Sequence, residues 1–174
     1  MAKAPPPVKL IVGMISREVK LFEEAESRMQ SEFGPIDFVG PILPFDYTDY
    51  YREEMGEGLN RKFVSFERLI RSEEIAAIKM ATNRWEEELA DSGEGKRRIN
   101  LDPGYIALAK FVLATTKDYS HRIHLGGGIY AEVALHFHKG TYQPYDWTYP
   151  DYRSRAYIDI FNGIRQIYKS QIPS

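Results

Sequence analysis

The sequence contains no cysteine. That excludes disulfides, thiolate catalysis and Cys-ligated zinc or iron–sulfur centres, and it suits a reducing compartment. Long apolar runs are missing as well: the longest, Tyr105 to Ala114, is interrupted by Lys110 and is too short to span a bilayer. The opening MAKAPPPVKL has no apolar h-region, so no secretory signal is expected there. Neither sign of charge is in excess, since Lys+Arg total 23, Asp+Glu total 25 and the net charge is -2. A chain so balanced has no long-range attraction for nucleic acid or an anionic membrane. These absences predict a cytoplasmic protein without a nucleic-acid or membrane partner.

Phosphate-binding signatures are also lacking. There is no G-x-x-x-x-G-K-[ST] and no G-x-G-x-x-G, and Gly126-Gly127-Gly128 is not followed by Lys and Ser or Thr. Thr116-Lys117-Asp118 lacks the spacer of a guanine-reading N/T-K-x-D motif, and neither G-x-S-x-G nor H-E-x-x-H occurs. An ordinary P-loop, a Rossmann site, a hydrolase elbow and a zincin helix are therefore excluded.

What is present suits one globular domain over residues 1–174, with 1–7 as a flexible Pro-rich leader: 174 residues, 43% hydrophobic and 28% charged. Val8 to Ile15 reads as a buried strand, followed by a helix with Val19, Phe22, Ala25, Met29 and Phe33 on one face. Gly34-Pro35 ends that helix, and Ile36 to Leu43 reads as an edge or bulged strand because of Pro41. Arg61 to Ile70 is a third strand. Ser72 is then a plausible N-cap for a helix with Ile75, Ile78, Thr82, Trp85 and Leu89 on one face, stopped by Asp91-Ser92-Gly93. Arg97 to Leu101 is a fourth strand. Asp102-Pro103 offers a cap and a first-turn proline for a helix through Thr115, against a competing type II turn at Pro103-Gly104 that leads into a strand. His121 to Leu125 and Ile129 to Lys139 flank the triple glycine as a hairpin, and the chain closes on a helix beginning near Asp151 or Ser154. The order predicts an α+β fold: a mixed sheet of about six strands with helices, its first part ferredoxin-like with split βαβ units, then a C-terminal β-hairpin and helix.

Three segments carry candidate chemistry. On the second hairpin strand Glu132, His136 and His138 share a face, and with His124 they could ligate Zn, Fe or Mn. A turn at the triple glycine puts His124 opposite residues 130–132, some 13 Å from His136 along the ladder, so the set reduces to His136 and His138 plus a donor from a neighbouring strand or the 50–61 insert. A solvated polar sheet face is the competing reading; a divalent metal is possible and none is required.

The insert Phe45 to Gly56 is dense in Tyr and acid, with Thr48 able to cap a short helix on which Tyr50 and Glu54 share a face. In Arg97 to Tyr105 a strand would align Arg98 and Asn100 and lead to Asp102, which could bind a ligand or merely cap the next helix. The predicted ligand set is Tyr50, Tyr51, Glu54, Arg61, Arg98, Asn100 and Asp102, with Arg61 and Arg98 offering paired donors to an anionic or hydroxylated small molecule. Such a cleft belongs to a ligand-binding protein or enzyme. The alternative is a noncatalytic partner-binding module using Tyr142, Tyr145, Trp147, Tyr149 and Tyr152, although those rings could equally wall the core.

Tyr50-Tyr51-Arg52-Glu53-Glu54-Met55-Gly56 and Arg97-Arg98-Ile99-Asn100-Leu101-Asp102-Pro103-Gly104-Tyr105, behind an opening strand like Val8 to Ile15, resemble the bacterial family known as domain of unknown function 4416. The resemblance covers nearly the whole chain. Some members carry a GTP-binding name, so it implies a nucleotide as one possible ligand and brings no catalytic residues with it.

Overall fold

The computed structural model describes residues 1–90 and 93–173, so the expected helix stop at Asp91-Ser92 lies outside the described residues. Strand β1 (Lys9–Ser16) leads to α1 (Val19–Phe33), β2 (Ile36–Val39) and the two-residue β3 (Leu43–Pro44). A short α2 (Arg52–Met55) precedes β4 (Asn60–Phe66), and a 3-10 turn at Ser72–Glu74 opens α3 (Ile75–Glu88). Four further strands, β5 (Asn100–Ile106), β6 (Lys110–Thr115), β7 (Arg122–Gly126) and β8 (Ile129–His138), are followed by β9 (Thr141–Pro144) and the long α4 (Arg155–Gln171).

One nine-stranded sheet runs in the order β2-β4-β1-β5-β6-β8-β7, with β3 paired to β4 and β9 to β8. Every pairing is antiparallel. The parallel relations expected of split βαβ units are present one strand apart: β4 lies between β1 and β2, and β1 lies between β4 and β5. The first half is thus ferredoxin-like, and β6 to β9 extend it. Nine strands replace the expected six because β3 separates from β2 beyond Gly40-Pro41, β9 is added, and residues 110–115 form β6.

The helix expected over 102–115 is a hairpin instead. Asp102 is engaged by Arg61 and caps nothing, while Ala107 N–H donates to the Lys110 carbonyl (2.9 Å) to close the turn. The competing reading holds for the strand and fails for the turn, since Pro103 and Gly104 lie inside β5 and the chain reverses only at 107–109. At the other hairpin, β7 and β8 pair as the triple glycine indicated, with Gly127 and Gly128 at φ 60 and 75 in the two-residue loop. Positive φ at both positions is the condition for a type I′ turn.

Burial follows the period-2 and 3.6 patterns. All eight β1 residues are buried. Leu10, Val12 and Met14 face α1 and α3 with Phe22, Met29, Phe33, Ile75 and Ile78, while Ile11 faces the α4 side with Phe63, Phe111, Phe161 and Ile164. Lys9 is fully buried at the start of β1; its ammonium is held by Asp37 and by Gln171 Oε1 (2.7 Å), which satisfies a charge that would otherwise cost several kcal/mol. A third small cluster of Ile15, Phe45, Met55 and Leu59 seats the 45–59 insert on the end of β1. Ser154 caps α4 by accepting the Tyr157 N–H.

Gly13 has a specific reason to be glycine. It lies on β1 between Phe63 of β4 and Asp102 of β5, and a Cβ there would sit 2.8 Å from the Phe63 ring and 2.9 Å from an Arg61 terminal nitrogen. Gly13→Ala is expected to cost about 1–3 kcal/mol in urea unfolding. Gly163→Ala, in α4 with open space around it, is expected to add about 0.5–1 kcal/mol. Equal effects of the two substitutions would contradict this packing.

Candidate functional site: a cavity where the sheet opens

The β5–β6 ladder pairs Gly104–Ile106 with Phe111–Leu113 and then stops. Pro103 supplies no N–H to continue it. Gly104 allows the last close approach, since a Cβ there would lie 2.4 Å from the Val112 carbonyl. Beyond that point β5 stays with β1 and β6 stays with β8, so the two strands part. Side chains from α3 stand where a strand partner would be: Leu101 N–H donates to Glu86 Oε1 (2.6 Å), and its carbonyl accepts from Lys79 Nζ (2.9 Å). The opening is a cavity of about 400 Å³, within the range of small-molecule sites. Residues from both faces of the sheet line it, because the sheet itself is interrupted.

Phe45, Tyr47, Tyr50 and Tyr51 of the insert wall it together with Tyr149, Pro150, Asp151 and Tyr152. At the floor, Arg61 reaches over Gly13. One terminal nitrogen donates to Asp102 Oδ2 and the other to Asp151 Oδ2, both at 3.0 Å. Its guanidinium carbon is 5.2–5.9 Å from the ring centres of Phe45, Phe63, Tyr152 and Tyr157. Burial opposes its charge, but the facing groups, with Asp102 and Asp151 among them, more than offset that and keep it charged. The two carboxylates are not equivalent. Burial pushes Asp102 up, yet Arg61, Lys79 and the nearby Asn100 amide bring it below its ordinary value of 3.8. For Asp151 burial outweighs Arg61, and the neighbouring Asp102 charge adds to the rise. Glu86 is also raised, by burial only partly countered by Lys79 and the Leu101 N–H.

Of the seven expected ligand residues, Tyr50, Tyr51, Arg61, Asn100 and Asp102 line this one cavity. Glu54 stands one contact behind it, forking Arg97, which in turn donates to Asn100 Oδ1 (2.9 Å). Arg98 does not reach the cavity. It pairs bidentately with Glu18 (2.9 and 2.7 Å) and lines a separate charged groove with Arg17, Arg52 and Glu54. Because β5 begins at Asn100, the alternation that would align Arg98 with Asn100 and Asp102 does not extend back to it.

Lys79, Asn83 and Glu86 of α3, together with Leu113 to Lys117, Glu132, Tyr149 and Asp151, also line the cavity and were missing from that set. A signal existed for two of them: Lys79 and Glu86 fall on the same helical face as the buried Ile75, Ile78 and Thr82, an unusual place for charge.

The histidine expectation fares differently. His124 lies opposite Tyr130, as the turn required, and Arg122 lies opposite Glu132, whose Oε2 it engages at 3.0 Å. His136 and His138 have ring centres 6.4 Å apart, but their strand neighbours are Lys110, Gln143 and Thr141. Among the described residues no group of three His, Cys, Asp or Glu is placed to hold a metal ion. In the Tyr-rich segment, Tyr142 and Tyr152 are buried and Tyr145 stacks between His136 and Trp147 at 4.6 and 4.5 Å.

Four cavity residues carry buried polar atoms without a protein partner: Arg61 Nε, Asn100 Nδ2, Glu132 Oε1 and Tyr152 OH. Buried polar atoms are nearly always satisfied, by ordered water or by a ligand where protein does not do it. Fold and site together define a ferredoxin-like α+β domain extended into a nine-stranded sheet, with a polar cavity at the break in that sheet. The chain belongs to the family Domain of unknown function (DUF4416), which matches residues 6–168. No curated protein and no solved structure matches it. Among the described residues no helix is long and apolar enough to cross a membrane.

The opposed carboxyl shifts give opposite pH signatures. Asp151 and Glu86 bind protons more tightly folded than unfolded, so their contribution to stability grows as pH falls through the raised values and is complete below about 3.8 and 4.5. Asp102 stabilises above 3.8, and that contribution is lost as pH falls through its depressed value. Asp151→Asn is expected to remove part of the first limb and spare the second, in urea midpoints compared with wild type from about pH 7 to about pH 3. A difference curve with the reverse slope would refute the assignment.

Proposed function

We propose that this protein binds a small hydroxylated molecule, with at most a modest negative charge, in the cavity between β5 and β6, as a ligand-binding protein or an enzyme acting on it. The observation that carries the reading is the break in the sheet. Lys79 and Glu86 satisfy the Leu101 backbone at the break, while buried polar atoms of Asn100, Glu132 and Tyr152 around it have no protein partner, which is costly unless water or a ligand meets them. Hydroxyls suit a floor of Glu86, Asp102, Glu132 and Asp151, since carboxylates accept and sugar or ribose hydroxyls donate. Tyrosine walls suit a sugar or a planar ring. A nucleotide belongs to this class as its monophosphate, whereas a triphosphate would face four carboxylates at once.

Asp102 and Asp151, displaced in opposite directions across one guanidinium, are the groups best placed for acid–base work if the ligand is turned over. We read the protein as cytoplasmic and bacterial; the lack of cysteine accords with the first and the family resemblance with the second. A partner-binding role for the Tyr-rich segment has less support, because Tyr142 and Tyr152 are core residues and Tyr149 and Tyr152 already line the cavity.

A thermal-shift panel of neutral sugars, nucleosides, sugar phosphates, nucleotides and organic acids tests the proposal. A true ligand at a hundredfold its Kd adds about 2.7 kcal/mol, so a rise in Tm of roughly 5 °C or more is expected for at least one class. Asn100→Leu should abolish it. No stabilisation by any class, or stabilisation indifferent to Asn100→Leu, would sink the reading.

A further inference from the structure

The cations around the cavity are mostly committed. Arg61 gives both terminal nitrogens to Asp102 and Asp151, Arg97 is forked by Glu54, and Lys79 is held by the Leu101 carbonyl with Glu86 and Asp102 nearby. Lys117 is different. Among the described residues its ammonium meets no carboxylate; it contacts the hydroxyl and the ring face of Tyr50, and both residues are exposed at the mouth.

The hydroxyls beside it are oriented by their own backbones. Thr115 Oγ1 accepts the Lys117 N–H (3.2 Å), and Thr48 Oγ1 accepts the Tyr50 N–H (3.1 Å). Each oxygen accepts one N–H through one lone pair, which leaves its proton and its second lone pair open to a ligand. Among the described residues that line it, the mouth therefore presents one ammonium and three hydroxyl donors from two segments, the insert and the end of β6, while Asp49 between Thr48 and Tyr50 pairs with Arg52. The floor has the opposite character, with four carboxylates.

We infer that this cluster is the anion subsite of the cavity. A terminal phosphate or carboxylate of the ligand is held at the mouth by Lys117, Tyr50, Thr48 and Thr115, and the hydroxylated remainder reaches inward to Asn100 and Asp102. Arg61, the obvious anion receptor in the sequence, serves as a strut. The inference rests on the reading of the cavity as a ligand site, and it adds which end of the ligand enters first. One ammonium with neutral donors suits a phosphomonoester or a hydroxy acid, which share this chemistry.

NMR titration of the amide signals of the intact chain tests it, with inorganic phosphate, ribose, ribose 5-phosphate and gluconate as probes. Inorganic phosphate is expected to shift the signals of residues 48–50 and 115–117. Ribose 5-phosphate should bind more tightly than ribose, and Lys117→Met should weaken the phosphate ester about tenfold while leaving ribose unchanged. Tyr50→Phe should weaken the ester less. A tighter response to ribose 5-phosphate than to gluconate identifies the anion as a phosphomonoester, and the reverse identifies a carboxylate. Phosphate that shifts the Arg98 groove or nothing, or an ester indifferent to Lys117→Met, overturns the subsite. If ribose still shifts Asn100 and Asp102 in that case, the cavity reading survives; if no probe shifts either place, both fail.

Discussion

A guanidinium removed from water is the constraint to which the rest of this structure answers. Arg61 is 3% exposed among four aromatic rings, and an unpaired charge there would cost several kcal/mol. The fold must therefore deliver two carboxylates from distant parts of the chain, Asp102 from β5 and Asp151 from the turn before α4. Doing so ties three things together: β4 is bridged across β1 to β5 at Gly13, the one β1 residue with no side chain, and the 150–153 segment is clamped onto the sheet. Loss of either carboxylate leaves a buried charge with too little compensation, at a cost of about 3–5 kcal/mol.

The cavity borders the same tie. Pro103 has no N–H to donate, and the Leu101 N–H and carbonyl are taken by α3 side chains, so the first part of β5 makes no ladder with β6. Lys79 and Glu86 satisfy the Leu101 backbone from below, so the opening is stabilised by specific bonds at both its floor and its edge. An opening built this way differs from a packing fault, which would be lined by apolar groups and leave no polar atom waiting for a partner. Charge is distributed unevenly through it, acid at the floor and an uncommitted ammonium at the mouth, and that gradient gives the site a direction.

Much of this was legible in the residues themselves. The split βαβ order, the apolar faces of α1 and α3 and the triple-glycine hairpin all follow from periodicity and turn chemistry, since local and long-range preferences agree there. Tyr50, Tyr51, Arg61, Asn100 and Asp102 were recognisable as a polar set, and the structure gathers them. The misreadings have physical causes. Asp102-Pro103 before an apolar run is a strong helix start when read locally, but the aspartate is claimed by Arg61, forty-one residues earlier. Reading a helix there hid β6, and with it Thr115 and Lys117. Arg98 precedes the strand whose alternation was extended to it, and Tyr50 precedes the short α2 on which it was to share a face with Glu54. His136 and His138 do share a strand face, but strand pairing alone decides what flanks them, and it supplies a lysine, an amide and a hydroxyl.

The claim that the sheet is held open to receive a ligand is tested most directly by an experimental structure of crystals soaked in a mixture of sugars, nucleosides and their monophosphates. The account expects β5 and β6 to part beyond Gly104 and ordered density between them to engage Asn100 Nδ2 and Glu132 Oε1. A ladder that continues from Gly104 to Asn100 against Leu113 to Thr115, with the tyrosines collapsed into the space, would contradict it.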